Sequence, residues 1–167
     1  ENLARTQRAL VLAGSRRVDL ALVSGDLVKD SLRVGEERAR SLFTLYTSEM
    51  AKAPFPVHSV MGNHDVFGIE GDQSGVAETN LSYAKALFEE FLGPRFSAFN
   101  RGRLHFIVLD SIGVEDMRYY GFLDATQLDW IAREIALLPI DTPIVTIGQI
   151  PLRNGGVDPE RVRGGTL

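Results

Sequence analysis

The chain has 167 residues, long enough for one domain with a sizeable core, and a net charge of −4. Its Lys and Arg residues are scattered, so no basic field is present to attract nucleic acid, and no binding of a nucleic-acid duplex is expected. The absence of Cys excludes disulfides, Cys-ligated zinc and Cys nucleophiles, and no apolar stretch is long enough to span a membrane.

Strands and helices alternate along the chain. Four short runs rich in Val, Ile and Leu predict strands that are buried on both faces. Apolar residues at helical spacing predict four helices, the last of which has Asp124 as its N-cap and an apolar stripe from Leu128 to Leu138. The segment 66–80 is glycine-rich and polar, which predicts a long surface loop. The predicted strands are 18–23, 57–61, 104–109 and 144–147; the predicted helices are 1–15, 34–53, 81–93 and 124–139.

This alternation is typical of an α/β fold with a largely parallel core. In such sheets, ligands bind at the carboxyl ends of the strands. Here those ends carry Asp26, the run Asn63-His64-Asp65, Asp110 and Gln149. Neighbouring parallel strands end side by side, so Asp26 and Asn63 are expected to face one crevice. Carboxylate and amide oxygens suit hard or borderline divalent cations, and a histidine beside them could bind a metal or transfer a proton.

Simpler structural roles are open for the same residues. Asp26 could start a turn, and the run 63–65 could be a polar turn that closes a strand. Asp110 is equally well explained as the cap of a local turn. His58 and His105 lie within strands, where a structural role is favoured over metal binding.

Five segments, in this order, resemble the calcineurin-like metallophosphoesterase family, in its cyclic-nucleotide-phosphodiesterase-like branch. The "GNHD" segment is the most specific of them, whereas "GD" alone would carry no weight. The segments are "GD" at 25–26, "GNHD" at 62–65, "LDS" at 109–111, "GFLDATQLDWI" at 121–131 and "GQIPL" at 148–152. The resemblance implies a β-sandwich flanked by helices in four αββα layers, and hydrolysis of a phosphomonoester or phosphodiester, with a small phosphate ester or a nucleotide as substrate.

The resemblance also implies roles for individual residues. Asp26 matches the carboxylate that bridges two divalent metals (Mn, Fe or Zn), and Asn63 matches a ligand of the second metal. His64 matches the residue that steadies the phosphoryl oxygen and protonates the leaving group, and Asp65 matches the acid that orients His64. Gln149 stands where the family has a metal-binding His, and its amide oxygen would be a weaker ligand for zinc or iron.

Two departures from the family pattern matter. The family's initial Asp-x-His and final Gly-His-x-His segments are absent, and the chain opens with Glu1 rather than Met. Residues 1–167 are therefore expected to form one partial phosphoesterase domain, truncated at both ends, that binds one metal or none, shows no measurable turnover alone and self-associates through an open sheet edge. Any targeting segment would have been lost with the N-terminal piece, so the compartment is open between cytoplasmic, periplasmic and secreted.

A rival interpretation is a non-catalytic binding or scaffold domain that keeps the fold without the full metal set. Metal content distinguishes the two, since an enzyme of this kind would hold two metals and a scaffold one or none. A nucleotide-binding α/β module is disfavoured, because no convincing glycine-rich phosphate loop is present.

Overall fold

A computed structural model of the chain describes residues 2–151; Glu1 and Leu152, the last residue of the "GQIPL" segment, lie outside the described residues. The fold is mixed α/β, as the alternation predicted. The helices are α1 Asn2–Ser15, α2 Glu36–Met50, α3 Gly71–Ser74, α4 Ala86–Leu92 and α5 Ala125–Ala136, with one 3₁₀ turn at Asn63–Asp65. The strands are β1 Ala21–Val23, β2 Val57–Ser59, β3 Ser97–Arg101, β4 Leu104–Val108, β5 Ile112–Glu115, β6 Arg118–Gly121 and β7 Ile144–Ile147.

Three small sheets are formed by these strands. β1 pairs with β2 in parallel, with Val23 opposite Ser59, and β4 pairs with β7 in parallel. β3 and β4 form an antiparallel hairpin, as do β5 and β6. The prediction of a largely parallel core is therefore wrong for the two hairpins. The strands β3, β5 and β6 were not predicted, because their short runs mix polar and apolar residues without a continuous apolar stretch.

An aromatic stack joins the β1–β2 pair to the β3–β4–β7 sheet. The His58 ring on β2 lies flat against Phe99 on β3, with 3.6 Å between ring centroids, and Phe99 stacks on Phe106 of β4. His105 is buried, and its Nδ1 is 2.8 Å from Oδ1 of Asn100. Both histidines therefore have the structural roles expected for them.

Burial of the strands and of α5 differs from the prediction. Only β4 is almost entirely buried; β1 and β2 are half-buried, and residues of β7 alternate between exposed and half-buried. The apolar stripe of α5 faces partly outward, with Leu128 51% exposed. Polar contacts contribute to holding the helix, since the buried side chain of Gln127 donates to the carbonyl of Asp110 and accepts from its N–H. Asp124 caps α5 by accepting from the N–H of Gln127, as predicted.

The surface loop predicted at 66–80 is wrong for residues 66–69, whereas residues 70–80 lie mostly at the surface. Val66, Phe67 and Ile69 are fully buried or nearly so, and Phe67 exchanges two backbone hydrogen bonds with Ala84. The glycines and polar residues of this segment supply turns and the short helix α3, while its few apolar side chains enter the core. The core therefore lies beneath the segments that follow β1 and β2, packed between those segments, α2 and α4. None of the described helices is long and apolar enough to cross a bilayer.

Asp110 is the buried centre of an ionic cluster at the end of β4. Its carboxylate is 2.6 Å from both Lys85 Nζ and Arg95 Nη1, and Arg95 also reaches Asp124 at 2.7 Å. Lys85 Nζ donates in addition to the carbonyl of Ile112. The Asp110 Oδ1 atom accepts from the N–H of Ile112, so the residue closes a local turn and joins α4 to α5.

Replacing Asp110 by Asn should lower the free energy of unfolding by about 3 kcal/mol, because two cations would lose their shared anion in a partly buried site. Asp19→Asn is the matched control, since Asp19 is 84% exposed and pairs with Arg101 at the surface. Its effect should stay within about 1 kcal/mol. Urea unfolding measures both, and equal losses in the two variants would contradict a stabilising role for Asp110.

The stacked position of His58 should make stability depend on pH. Burial lowers the pKa of His58, so between its folded value and its unfolded value of about 6.5 the unfolded chain binds more protons. The contribution of His58 to the free energy of unfolding is therefore largest above that pH range and decreases as the pH falls through it. His58→Phe keeps an aromatic ring on Phe99 but cannot titrate. The difference in unfolding free energy between the wild type and this variant should move in favour of the variant from pH 8 to pH 5.5; a constant difference would contradict the assignment.

Candidate functional site

The turn after β1 places Asp26 at the sheet edge. Gly25 and Asp26 have φ angles of +94° and +54°, so two consecutive residues lie in the left-handed region. Gly adopts this conformation freely, and Asp tolerates it better than most residues. The turn stops the strand and leaves the side chain of Asp26 exposed, with its Oδ1 accepting from the backbone N–H of His64 at 3.2 Å.

Gly62, which follows β2, packs directly against this turn. A Cβ on Gly62 would lie 2.5 Å from Oδ1 of Asp26 and would overlap the backbone N of the same residue. A Cβ on Gly25 would lie 2.8 Å from Cα of Gly62 and 2.6 Å from Cγ of Gln149. These approaches are possible only without side chains. They bring the ends of β1, β2 and β7 together, as predicted for Asp26 and Asn63.

Hydrogen bonds from the buried residue Ser31 fix the backbone of the 3₁₀ turn Asn63–Asp65. Ser31, which is fully buried, donates its backbone N–H to the carbonyl of His64, and its Oγ lies 2.8 Å from the same oxygen. Asn63 is 7% exposed and His64 is half-buried. The turn therefore presents both side chains from a fixed backbone.

The carboxylate of Asp65 binds backbone rather than the His64 ring. Its Oδ2 accepts from the N–H of Gly62 at 2.7 Å and its Oδ1 from the N–H of Val28 at 3.0 Å. Burial raises the pKa of Asp65 to about 6, although these donors act in the opposite direction. Nδ1 of His64 is buried and has no hydrogen-bond partner among the described residues. The orienting contact expected between Asp65 and His64 is thus not formed at Nδ1, and Asp65 acts on His64 by fixing the turn.

Gln149 closes the group from the end of β7. Its Nε2 lies 2.8 Å from Oδ1 of Asn63 and 3.3 Å from Oδ1 of Asp26. The atom presented to these two residues is therefore the amide nitrogen, whereas a metal ligand would present the oxygen. Oε1 of Gln149 is buried without a hydrogen-bond partner in the described part of the chain.

The donor set fits one divalent cation better than two. Oxygens of Asp26 and Asn63 converge closely enough to share a single N–H₂ group, so the same two oxygens could share one cation. Residues 2–151 contain no cluster of three or more His, Cys, Asp or Glu side chains that could hold a metal. A two-metal centre would therefore need ligands in addition to those described.

The structure brings together Asp26, Asn63, His64, Asp65 and Gln149, but it leaves Asp110 out of the group, tied to Lys85 and Arg95. Sequence reasoning missed Ser31, which fixes the carbonyl of His64. No spacing rule marks it, because a buried serine in a loop gives no periodic signal.

Comparison with known proteins relates the chain to a family and to a curated relative. The model of the calcineurin-like phosphoesterase family matches residues 1–162. A 3',5'-cyclic-nucleotide phosphodiesterase from Nostoc sp. is 31% identical over 135 residues, which cover 81% of this chain and 42% of that relative. The chain therefore spans less than half the length of the relative it matches.

Gly62→Ala tests the close approach. The new methyl group would collide with the backbone and carboxylate of Asp26, neither of which can move without opening the turn. We expect a loss of about 3 kcal/mol in unfolding free energy, the upper end for overpacking. Gly71→Ala, at a position where a Cβ meets nothing nearer than 3.6 Å, is the control and should be nearly neutral. A Gly62→Ala protein as stable as this control would show that the strand ends are not in contact.

Proposed function

This chain belongs to the calcineurin-like phosphoesterase family, and on that basis we propose that it hydrolyses phosphate esters at the crevice formed by Asp26, Asn63 and His64. The observation that carries the proposal is the convergence of Asp26 and Asn63 oxygens on one donor beside His64. The Nostoc relative favours a phosphodiester, such as a cyclic nucleotide, over a monoester as the substrate class. Asp26 is exposed, which leaves the crevice accessible to a substrate.

Asp26 and Asn63 would hold a divalent cation (Mn, Fe or Zn), and Asp26 would also help to hold a second one together with ligands beyond the described residues. Such a pair supplies positive charge to the phosphoryl oxygens and lowers the pKa of a bound water. The carboxylate of Asp26 accepts a backbone hydrogen bond from the N–H of His64, whereas both oxygens of Asp65 accept from backbone N–H groups. Asp26 is therefore the carboxylate of this group that could bind a metal. Asn63 contributes a neutral oxygen, which adds no negative charge that would repel a phosphate.

His64 is the proposed general acid. Cleavage of the P–O bond to the leaving group places negative charge on that oxygen, and a proton from the imidazole neutralises it. Ser31 and Asp65 are positioning residues, because they fix the backbone on which His64 stands. The two sheets joined by the His58–Phe99 stack are proposed as the inner layers of a four-layer αββα sandwich.

The alternative function is a binding or scaffold domain without catalysis. The amide nitrogen of Gln149 between Asp26 and Asn63 favours it, because a hydrogen-bond donor there makes a metal unnecessary for the fold. Metal analysis of the purified full-length protein separates the alternatives, since two metals per chain support the enzyme and one or none supports the scaffold.

Replacing His64 by Ala in the full-length protein should lower kcat about 10²–10⁴-fold, because a general acid acts mainly in the transition state. Metal content should not change, since His64 is not a proposed ligand. A nitrophenyl diester should partly restore the rate, because nitrophenolate leaves without a proton.

Asp26→Ala is the comparison variant. It should lose metal and activity together, and the nitrophenyl ester should not rescue it. Equal rescue of both variants, or loss of metal in His64→Ala, would contradict the role assigned to His64.

A further inference from the structure

The side chain of Gln149 lies where two acceptor oxygens converge. Oδ1 of Asn63 is 2.8 Å from its Nε2, and Oδ1 of Asp26 is 3.3 Å from the same atom. Two oxygens that point at one place repel each other unless a donor or a cation stands between them. The N–H₂ group of Gln149 supplies two donors at one atom, one for each oxygen.

The position of Gln149 is fixed by packing and by its neighbours in the chain. Its Cβ and Cγ pack directly against Gly25. A Cβ added to Gly25 would lie 2.8 Å from Cβ and 2.6 Å from Cγ of Gln149. The N–H of Ile150, the next residue, donates to Oγ of Ser111 at 2.9 Å, which ties the end of β7 to the end of β4. The fixed backbone at the end of β7 therefore places the side-chain amide of Gln149 in the crevice.

The orientation of the amide is set by the crevice. Oε1 of Gln149 is buried and lacks a partner among the described residues, an arrangement that is unfavourable in itself. The opposite orientation would point this oxygen at Oδ1 of Asn63 and Oδ1 of Asp26 and remove their common donor. The observed orientation gives hydrogen bonds to the oxygens of Asn63 and Asp26 and leaves only Oε1 of Gln149 without one, so it is the more favourable of the two.

We propose that the N–H₂ group of Gln149 occupies the place between Asp26 and Asn63 where a divalent cation would bind, so that the cation enters only when this amide moves away. Gln149 is then an internal competitor of the metal rather than a ligand. The inference rests on the proposed function only in naming a divalent cation as the species that Asp26 and Asn63 would otherwise hold. It predicts a site that keeps its geometry without metal and binds metal weakly.

Titration of the full-length metal-free protein with Mn²⁺, followed by calorimetry, tests this competition. Gln149→Ala removes both hydrogen bonds and opens the space, so the affinity for Mn²⁺ at this site should rise about tenfold, the worth of the two lost hydrogen bonds. The melting temperature without metal should fall and should recover when Mn²⁺ is added. Gln73→Ala is the control: Gln73 makes the same kind of amide contact, to Glu70 on the surface, and its loss should leave Mn²⁺ affinity unchanged.

A Gln149→Ala protein that binds Mn²⁺ equally or more weakly would overturn the proposal, since Gln149 would then be a bystander or a ligand. Absence of Mn²⁺ binding in both proteins would overturn it as well. Hydrolysis of a nitrophenyl phosphodiester by the wild type, measured on the same samples, shows separately whether the proposed phosphoesterase function stands.

A measurement on the wild type avoids the variant altogether. In nuclear magnetic resonance spectra, the side-chain N–H₂ protons of Gln149 should exchange slowly with solvent in the metal-free protein. Addition of Zn²⁺, which is diamagnetic, should release them to fast exchange. Protection that persists while Zn²⁺ binds at Asn63 would contradict displacement of the amide.

Discussion

The site depends on the contact between the backbones of Gly25 and Gly62. With no side chain on either residue, the turn after β1 and the segment after β2 approach until a Cβ on one would fall 2.8 Å from Cα of the other. This approach brings the carboxylate of Asp26 to the N–H of His64 and beside the amide of Asn63. It also creates the flat surface on which the side chain of Gln149 lies.

Rigid support for this contact comes from the core beneath it. Asp65 is fully buried and accepts two backbone N–H groups, and Ser31 holds the carbonyl of His64 from the other side. Because these partners are backbone atoms, they fix the path of the chain more than they fix any ring. Burial is the largest cause that raises the pKa of Asp65 to about 6, and the backbone donors that fix the turn offset only part of it.

The sequence predicted the candidate site where the signal lies in a few adjacent residues. "GD" and "GNHD" follow strands, and glycine before a polar residue at a strand end is a signal that needs no tertiary information; the structure brings both to one crevice. The sequence was uninformative where long-range packing decides. Segment 66–80 is polar on average, yet Val66, Phe67 and Ile69 at its start fill the core. Gln127 of α5 is buried against Asp110, while the neighbouring Leu128 faces outward. The direction of the Gln149 amide could not be predicted either, because it depends on which acceptors meet it.

Asp110 illustrates a strand-end carboxylate that serves the fold. It resembles Asp26 in position, but Lys85 and Arg95 neutralise it and α5 covers its backbone. Asp26 is exposed and has no Lys or Arg against its carboxylate among the described residues, so its charge is available to a ligand. The surroundings of each carboxylate, rather than its place after a strand, distinguish Asp110, which stabilises the fold, from Asp26, whose carboxylate remains accessible.

If the N–H₂ group of Gln149 stands in for a cation between Asp26 and Asn63, a bound metal must displace it. Anomalous diffraction at the manganese edge, from crystals of the full-length protein with Mn²⁺, locates the metal and the amide in one experiment. We expect an anomalous peak within coordination distance of Asp26 and Oδ1 of Asn63, with the Gln149 amide turned away. A peak that avoids these two residues, or an amide that stays between them while hydrolysis proceeds, would contradict it.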